Sequence, residues 1–247
     1  MAGRTTRVVE HPLEAVWDDG PVFRRRPDEP LIETVLIEDG RVRLFDRHLV
    51  RLRRSGASAK QVTAVRALAE TWRRTASRPT VLRFDVAAGA GVSSRARTPG
   101  ATAPARLATV PGFDPGDAAR ERKLAAREWA ETAEVAAATA GADEPLLVSV
   151  DGLVGETSRA SFFAVDTTGR IVTPPVRGLL PGVTRAWVVE AAGAVEHALT
   201  VAELADARAA FLTTAGRGIV PVAAIDGRPL GEDERVATLA REWQALR

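Results

Sequence analysis

Short apolar runs broken by turn dipeptides constrain what this chain can fold into. Residues 31–37 (LIETVLI) and 41–44 (RVRL) flank Asp39-Gly40, and an Asp-Gly pair supplies the positive φ angles that a two-residue hairpin needs. The pattern recurs in the second half. Leu146–Val150 and Leu153–Glu156 lie around Asp151-Gly152, and residues 162–166 and 170–173 around Thr168-Gly169. Further strands are expected near 197–201, 210–213 and 220–225, with a short helix near 202–207. Many short strands with a few helices predict a sheet-rich α/β (α+β) fold, not a helical bundle.

The helical signals are fewer. One helix is expected from about Asp46, a good N-cap, through HLVRLRRSGA. A second spans roughly 60–75, with Val62, Val65, Leu68 and Trp72 on one stripe. A strand over 80–87 follows, and then GAGVSSRARTPGATAPAR, rich in Gly, Ser, Pro and Ala. That stretch reads as an interdomain linker. It divides the chain into a small α/β domain (1–98), a linker (99–107) and a larger barrel-like sheet domain (108–247). Residues 116–140 read as one alanine-rich helical segment closed by Gly141, and another helix starts after Pro181-Gly182 and runs to about Ala192.

Composition excludes several classes. With 247 residues, 45% hydrophobic and 27% charged, the chain is long enough for a real core and unlike a disordered or fibrous protein. No apolar run approaches the length of a membrane span. The first twenty residues hold no apolar signal core. Cysteine is absent, which excludes disulfides, thiolate metal sites and cysteine nucleophiles; a cytoplasmic location is expected. Of the 34 basic residues only Lys60 and Lys123 are lysines, so an amine nucleophile has two candidates. Residues 1–100 carry 19 basic and 12 acidic side chains. Clusters such as Arg24-Arg25-Arg26 and Arg51 with Arg53-Arg54 read mostly as solvated surface, or as a site for a small anion, and not as a nucleic-acid motif.

Individual motifs are weak when taken alone. Leu179-Leu180-Pro181-Gly182-Val183-Thr184-Arg185 opens a helix, and a helix start presents free N–H groups to a phosphate; most such starts are only helix starts. Glu156 at a strand end is ordinarily solvated. His11, His48 and His197 lack metal spacing, so no metal is expected, and His48 reads as packing within its helix. Ser158 and Ser161 lack a nucleophile elbow. Gly89-Ala90-Gly91 is a poor dinucleotide fingerprint.

The order of these motifs, however, resembles the class IV, fold-type IV pyridoxal-phosphate (PLP) enzymes, which include branched-chain aminotransferase, D-amino acid aminotransferase and aminodeoxychorismate lyase. The resemblance runs from about Leu31 to Asp226. It is carried by IETVLIEDGRVRLFDRHLVRLRRSGA, by Lys123 in KLAAR upstream of Ala142-Asp143-Glu144, by GETSRASFF…IVT…LPGVTR, and by FLTTAGRGIVPVAAIDG. It implies a two-domain fold-type IV enzyme, commonly a homodimer, with PLP as cofactor and a carboxylate-bearing amine as substrate. Neither nucleic acid nor a membrane is an expected partner.

By that resemblance Lys123 is the Schiff-base lysine and base, Glu156 pairs with the pyridine nitrogen, Arg51 meets the phosphate, and Gly182, Val183 and Thr184 form the phosphate-binding helix start. Several positions depart from the family pattern. Ser161 replaces an asparagine, Ala126 a further asparagine, Glu128 the tyrosine of branched-chain aminotransferases, Ala215 a phosphate-binding Thr or Ser, and Leu36 an arginine. Loop arginines are missing at Ala88 and Ser93. Arg95 or Arg97 could take over their carboxylate role, and Arg217 resembles a substrate-side arginine of lyase-like members. The reading leans toward aminodeoxychorismate lyase, with a class IV aminotransferase as the alternative.

Overall fold

The structure, a computed structural model, describes residues 29–87, 89 and 91–246. His11, the Arg24–Arg26 cluster and Ala88 lie outside the described residues. In chain order, β1 (Leu31–Glu38), β2 (Arg41–Val42), α1 (Phe45–Arg54), α2 (Ala59–Thr75), β3 (Thr80–Val86) and β4 (Val92–Arg97) come first. They form a four-stranded antiparallel sheet ordered β2-β1-β3-β4. The hairpin forms where Asp-Gly places it: Glu38 pairs with Arg41, and both Asp39 and Gly40 take positive φ. Leu31, Val35 and Ile37 project from one face of β1 and pack with Leu49, Leu52, Val65 and Ala69 of the two helices.

The rest of the chain builds the larger body: β5 (Ala105–Pro111), a 3₁₀ turn (Ala118–Glu121), α3 (Glu128–Thr139), β6 (Glu144–Val148), β7 (Val154–Thr157), β8 (Ser161–Val165), β9 (Ile171–Thr173), α4 (Val183–Ala192), β10 (Val195–Glu196), α5 (Val201–Ala205), β11 (Ala209–Thr214), β12 (Gly218–Ile225), β13 (Arg228–Pro229) and α6 (Glu234–Ala245). Its sheet runs β10-β9-β8-β11-β12-β5-β6-β7, with β13 on β12. It mixes parallel pairs (β5 with β6 and with β12) and antiparallel ones. The sheet curls into a half-barrel. Leu107, Leu146, Phe162, Leu212 and Val220 fill one side with Leu199 and Leu204. On the other side α4 and α6 cover Phe163 and Phe211, whose rings stack at 4.8 Å. A mixed α/β fold with a smaller sheet domain beside a curled sheet is what the sequence patterning predicts.

Four local expectations are corrected, and one further helix is found. Asp46 is not the N-cap of α1. Leu44 occupies that place in a left-handed conformation, and Asp46 sits in the first turn, paired with Arg66 at 2.7 Å. The Gly/Ser-rich stretch is not all linker, because Val92–Arg97 continues as an edge strand on β3. An edge strand needs few buried side chains, so its polar sequence hides it. Residues 98–104 carry no helix or strand. The 116–140 helix is interrupted: residues 122–127 are not helical, and α3 begins only at Glu128. The strand expected near 197–201 is not formed there: the two-residue β10 precedes it at Val195–Glu196, Thr200 makes only an isolated bridge to Leu153, and α5 begins at Val201. Finally, α6 was not among the elements the sequence patterning placed; Val236, Leu239 and Trp243 give it a buried stripe.

Candidate active site

The break before α3 is what positions Lys123. The carbonyl of Lys123 accepts a hydrogen bond from the Ile32 amide at 2.9 Å, and the Ala125 amide donates to Pro30 O at 2.9 Å. Leu124 forms a bridge with Leu31. The lysine therefore lies on an extended segment stitched to the start of β1, at the seam between the two sheets. Its side chain is half-buried. Burial, reinforced by the Arg51 guanidinium and opposed by Glu33, lowers its pKa to about 7.

Glu156 stands on β7, all of whose residues are buried. Its Oε1 accepts a hydrogen bond from the Leu180 amide at 3.1 Å. Burial nevertheless pushes its pKa up to about 7, against the pull of that hydrogen bond and of Lys123, Arg120 and Arg127. Lys123 and Glu156 each feel the other's charge. Glu156 lines a narrow crevice with Gly155, Ser161, Leu180 and Arg185.

The helix start at α4 forms the next wall. Gly182 caps it, and no side chain satisfies the first turn. A Cβ on Gly182 would lie 2.8 Å from Ser161 Oγ, so this position admits only glycine without a shift. The Thr184 hydroxyl is buried without a hydrogen-bond partner, and so is that of Thr213. Thr213 pairs directly with Ser161 across β11 and β8, which places both on one face of the sheet.

Arg51 reaches this wall from α1. Its Nη1 donates to Pro181 O at 3.2 Å. Its Nη2 and Nε donate to Glu33 at 2.5 and 3.1 Å, and His48 Nδ1 lies 3.1 Å from the same carboxylate. Burial opposes ionisation of Glu33, but Arg51 and the His48 hydrogen bond together hold its carboxyl well below the usual range. Burial, opposed by Glu33 and aided by Arg51 and Lys123, lowers the pKa of His48.

The structure thus brings Lys123, Glu156, Arg51, Gly182, Val183 and Thr184 to one seam. The proposed substrate arginines stand differently. Arg95 is exposed on β4 and tied to Asp85 at 3.1 Å. Arg97 donates to Thr98 O at 3.3 Å and lies beside Gly216 of the β11–β12 turn. Arg217 is paired with Glu144. Of the departures, Ser93 is exposed on β4, and Glu128 is exposed in the first turn of α3.

Glu33, His48, Arg127 and Thr213 belong to this neighbourhood, and motif matching does not find them. A signal for the first two exists. Glu33 falls in the same alternating row as Leu31, Val35 and Ile37, where a carboxylate demands a buried partner. His48 and Arg51 share a helix face three residues apart.

Comparison with known proteins gives the family. The pattern of the amino-transferase class IV family matches residues 30–225. The chain belongs to the class IV aminotransferase family. Its members are PLP-dependent aminotransferases or lyases. The branched-chain-amino-acid aminotransferase of Pseudomonas aeruginosa is 33% identical over 104 residues, covering 40% of this chain and 34% of the relative. The match thus spans about a third of that relative's length. Among solved structures, a hypothetical aminotransferase from Mycobacterium tuberculosis in its PLP-bound form superposes with a TM-score of 0.74 at 24% identity, covering 90% of this chain and 89% of its own. A chain from Legionella pneumophila described as a 4-amino-4-deoxychorismate lyase gives 0.74 at 21% identity, covering 91% and 96%.

The residues fit the family's cofactor. Two buried hydroxyls without partners, an uncapped helix start and the Nη1 edge of Arg51 are donors waiting for acceptor oxygens, as a phosphate provides. A buried carboxylate that the protein itself leaves poorly compensated is matched to a heterocyclic N–H. An amine with a pKa near neutrality is matched to an aldehyde.

Proposed function

We propose that the chain is a PLP-dependent lyase acting like aminodeoxychorismate lyase, converting 4-amino-4-deoxychorismate to 4-aminobenzoate and pyruvate. The observation that carries the PLP reading is the Lys123–Glu156 pair, both groups drawn toward pKa 7 at one seam. Lys123, Glu156, Arg51, Thr184 and the backbone N–H groups of Val183 and Thr184 would hold the cofactor. When bound, PLP supplies an electron sink for the carbon bearing the substrate's amine.

The chain's own groups do the rest. Lys123, an amine whose pKa is lowered to about 7, would take the proton from the amine-bearing carbon of the bound substrate. The electron pair left behind expels the enolpyruvyl oxygen and makes the ring aromatic. The proton that Lys123 has taken would pass to the methylene carbon of the departing enol, which completes pyruvate and returns the lysine to its free amine. Glu156, as the anion, would hold the pyridine N–H, and Arg51 and Thr184 would hold the phosphate, which keeps the cofactor oriented toward Lys123.

The lyase reading leans on Glu128. It replaces the family tyrosine with an exposed carboxylate, and the whole chain has no tyrosine to substitute. The second reading, amino-group transfer to a 2-keto acid, is favoured by the similarity to the Pseudomonas branched-chain aminotransferase. A homodimer completes the proposal on the family resemblance, a cytoplasmic location on the lack of cysteine, and the division at residues 99–107 on the Gly/Pro/Ala-rich composition of that stretch. The test is aminodeoxychorismate without any keto acid. Many turnovers of pyruvate with PLP retained are expected. No pyruvate, with rapid amino exchange between amino acids and 2-oxoglutarate, would replace the lyase by the aminotransferase.

A further inference from the structure

We infer that Arg127 receives the substrate's carboxylate beside Lys123 and so selects for acidic amines; the inference rests on the PLP reading above. Arg127 follows directly on the extended segment that fixes Lys123, and it caps α3. Its charge acts on both Lys123 and Glu156, so it lies at the seam. The neighbouring arginines are committed. Arg51 is held by Glu33, Arg83 by Asp85, Arg159 by Glu134, Arg217 by Glu144, and Arg120 by Asp117 and the Gly112 carbonyl. Among the described residues, the Arg127 guanidinium has neither an ion pair nor a hydrogen bond. Its contact is with the Trp129 ring, 5.3 Å from the guanidinium carbon to the ring centroid.

A half-buried guanidinium without a direct ion pair is costly, and its planar fork of N–H groups matches a carboxylate in two parallel hydrogen bonds. The Trp129 ring, whose face Arg120 covers more closely at 3.6 Å, holds the Arg127 guanidinium by a longer cation–π approach that leaves its N–H groups free to donate. Arg97 also lacks an ion pair among the described residues, but it is exposed and donates to the Thr98 carbonyl. Burial also lowers the pKa of Arg127, although the charges of Glu156 and Glu134 oppose it without forming an ion pair. The carboxylate site thus sits four residues after the lysine, on the larger body, and not in the β3–β4 loop where the family's loop arginines are missing.

The experiment uses the PLP-loaded enzyme and two carboxylate probes, 4-aminobenzoate and 2-oxoglutarate, each beside its neutral counterpart, 4-aminobenzamide and the dimethyl ester. Wild type is expected to bind at least one carboxylate better than its neutral partner. R127Q should weaken that carboxylate roughly 10- to 100-fold. The neutral partner and the visible band of the bound cofactor should be unchanged. R127K, which keeps the charge but loses the fork, should fall between the two and serves if R127Q folds poorly. Unchanged carboxylate affinity in both variants, or equal losses for neutral and charged probes, would overturn the inference while leaving the PLP reading intact. A wild type that binds neither carboxylate also overturns it. Failure of the PLP reading shows separately, as a wild type with no borohydride-reducible cofactor.

Discussion

Arg51 and Glu33 form a two-pronged ion pair, with Nη2 and Nε on the two carboxylate oxygens at 2.5 and 3.1 Å and both side chains buried. The phosphate ligand proposed from sequence is therefore also the counter-ion of a core carboxylate. Glu33 aligns Arg51 so that its Nη1 edge points to Pro181 and the start of α4.

Arg51→Ala should accordingly do more than weaken PLP. It leaves Glu33 buried without its cation, which costs about 3–5 kcal/mol. The apo-protein should lose that stability in denaturant unfolding, whereas exposed Arg53→Ala should change it little. The double change Arg51→Met with Glu33→Met should recover most of the stability and none of the cofactor affinity.

Thr184→Val tests the helix start separately. The hydroxyl makes no hydrogen bond within the protein, so replacing it with a methyl should leave apo stability unchanged or slightly raised. PLP affinity should fall by about 2- to 10-fold, the worth of one hydrogen bond. Equal losses of stability and affinity would place the hydroxyl in the fold and not in the site.

Glu156 predicts a pH effect with a definite sign. Its folded pKa of about 7 lies above its ordinary value, so between about pH 4.5 and 7 the folded state holds more protons than the unfolded one. The apo-protein's stability should then decrease as pH rises through that window. Glu156→Gln removes the group, so wild type should lose on the order of 1–3 kcal/mol relative to the variant between pH 4.5 and 8. Parallel stability curves would mean that Glu156 is not desolvated. In the PLP-loaded enzyme the same variant should retain cofactor but turn over far more slowly.

Much of this arrangement is legible in the chain itself. Asp39-Gly40 fixes the first hairpin, and Pro181-Gly182 fixes the start of α4, because local backbone chemistry decides both. Lys123 is also identifiable, since only Lys60 competes with it. Its setting is not. The alanine-rich run around it reads as helix, yet pairing with β1 holds residues 123–125 extended, a tertiary contact that propensity does not register. Thr213 escapes for a similar reason. Its neighbour Ala215 draws attention as a departure, while the hydroxyl facing Ser161 depends on the β8–β11 register. Arg127 looks like one of many arginines until the partners of the others are known.

The central claim is that Lys123 carries the cofactor, and a chain with two lysines allows it to be tested in one measurement. The purified protein is loaded with PLP, reduced with borohydride and digested, and the pyridoxyl group is located by mass spectrometry. The label is expected on the peptide containing Lys123 and absent from the one containing Lys60, and Lys123→Ala should abolish it. Label on Lys60, or a reducible adduct that survives in Lys123→Ala, would contradict the account.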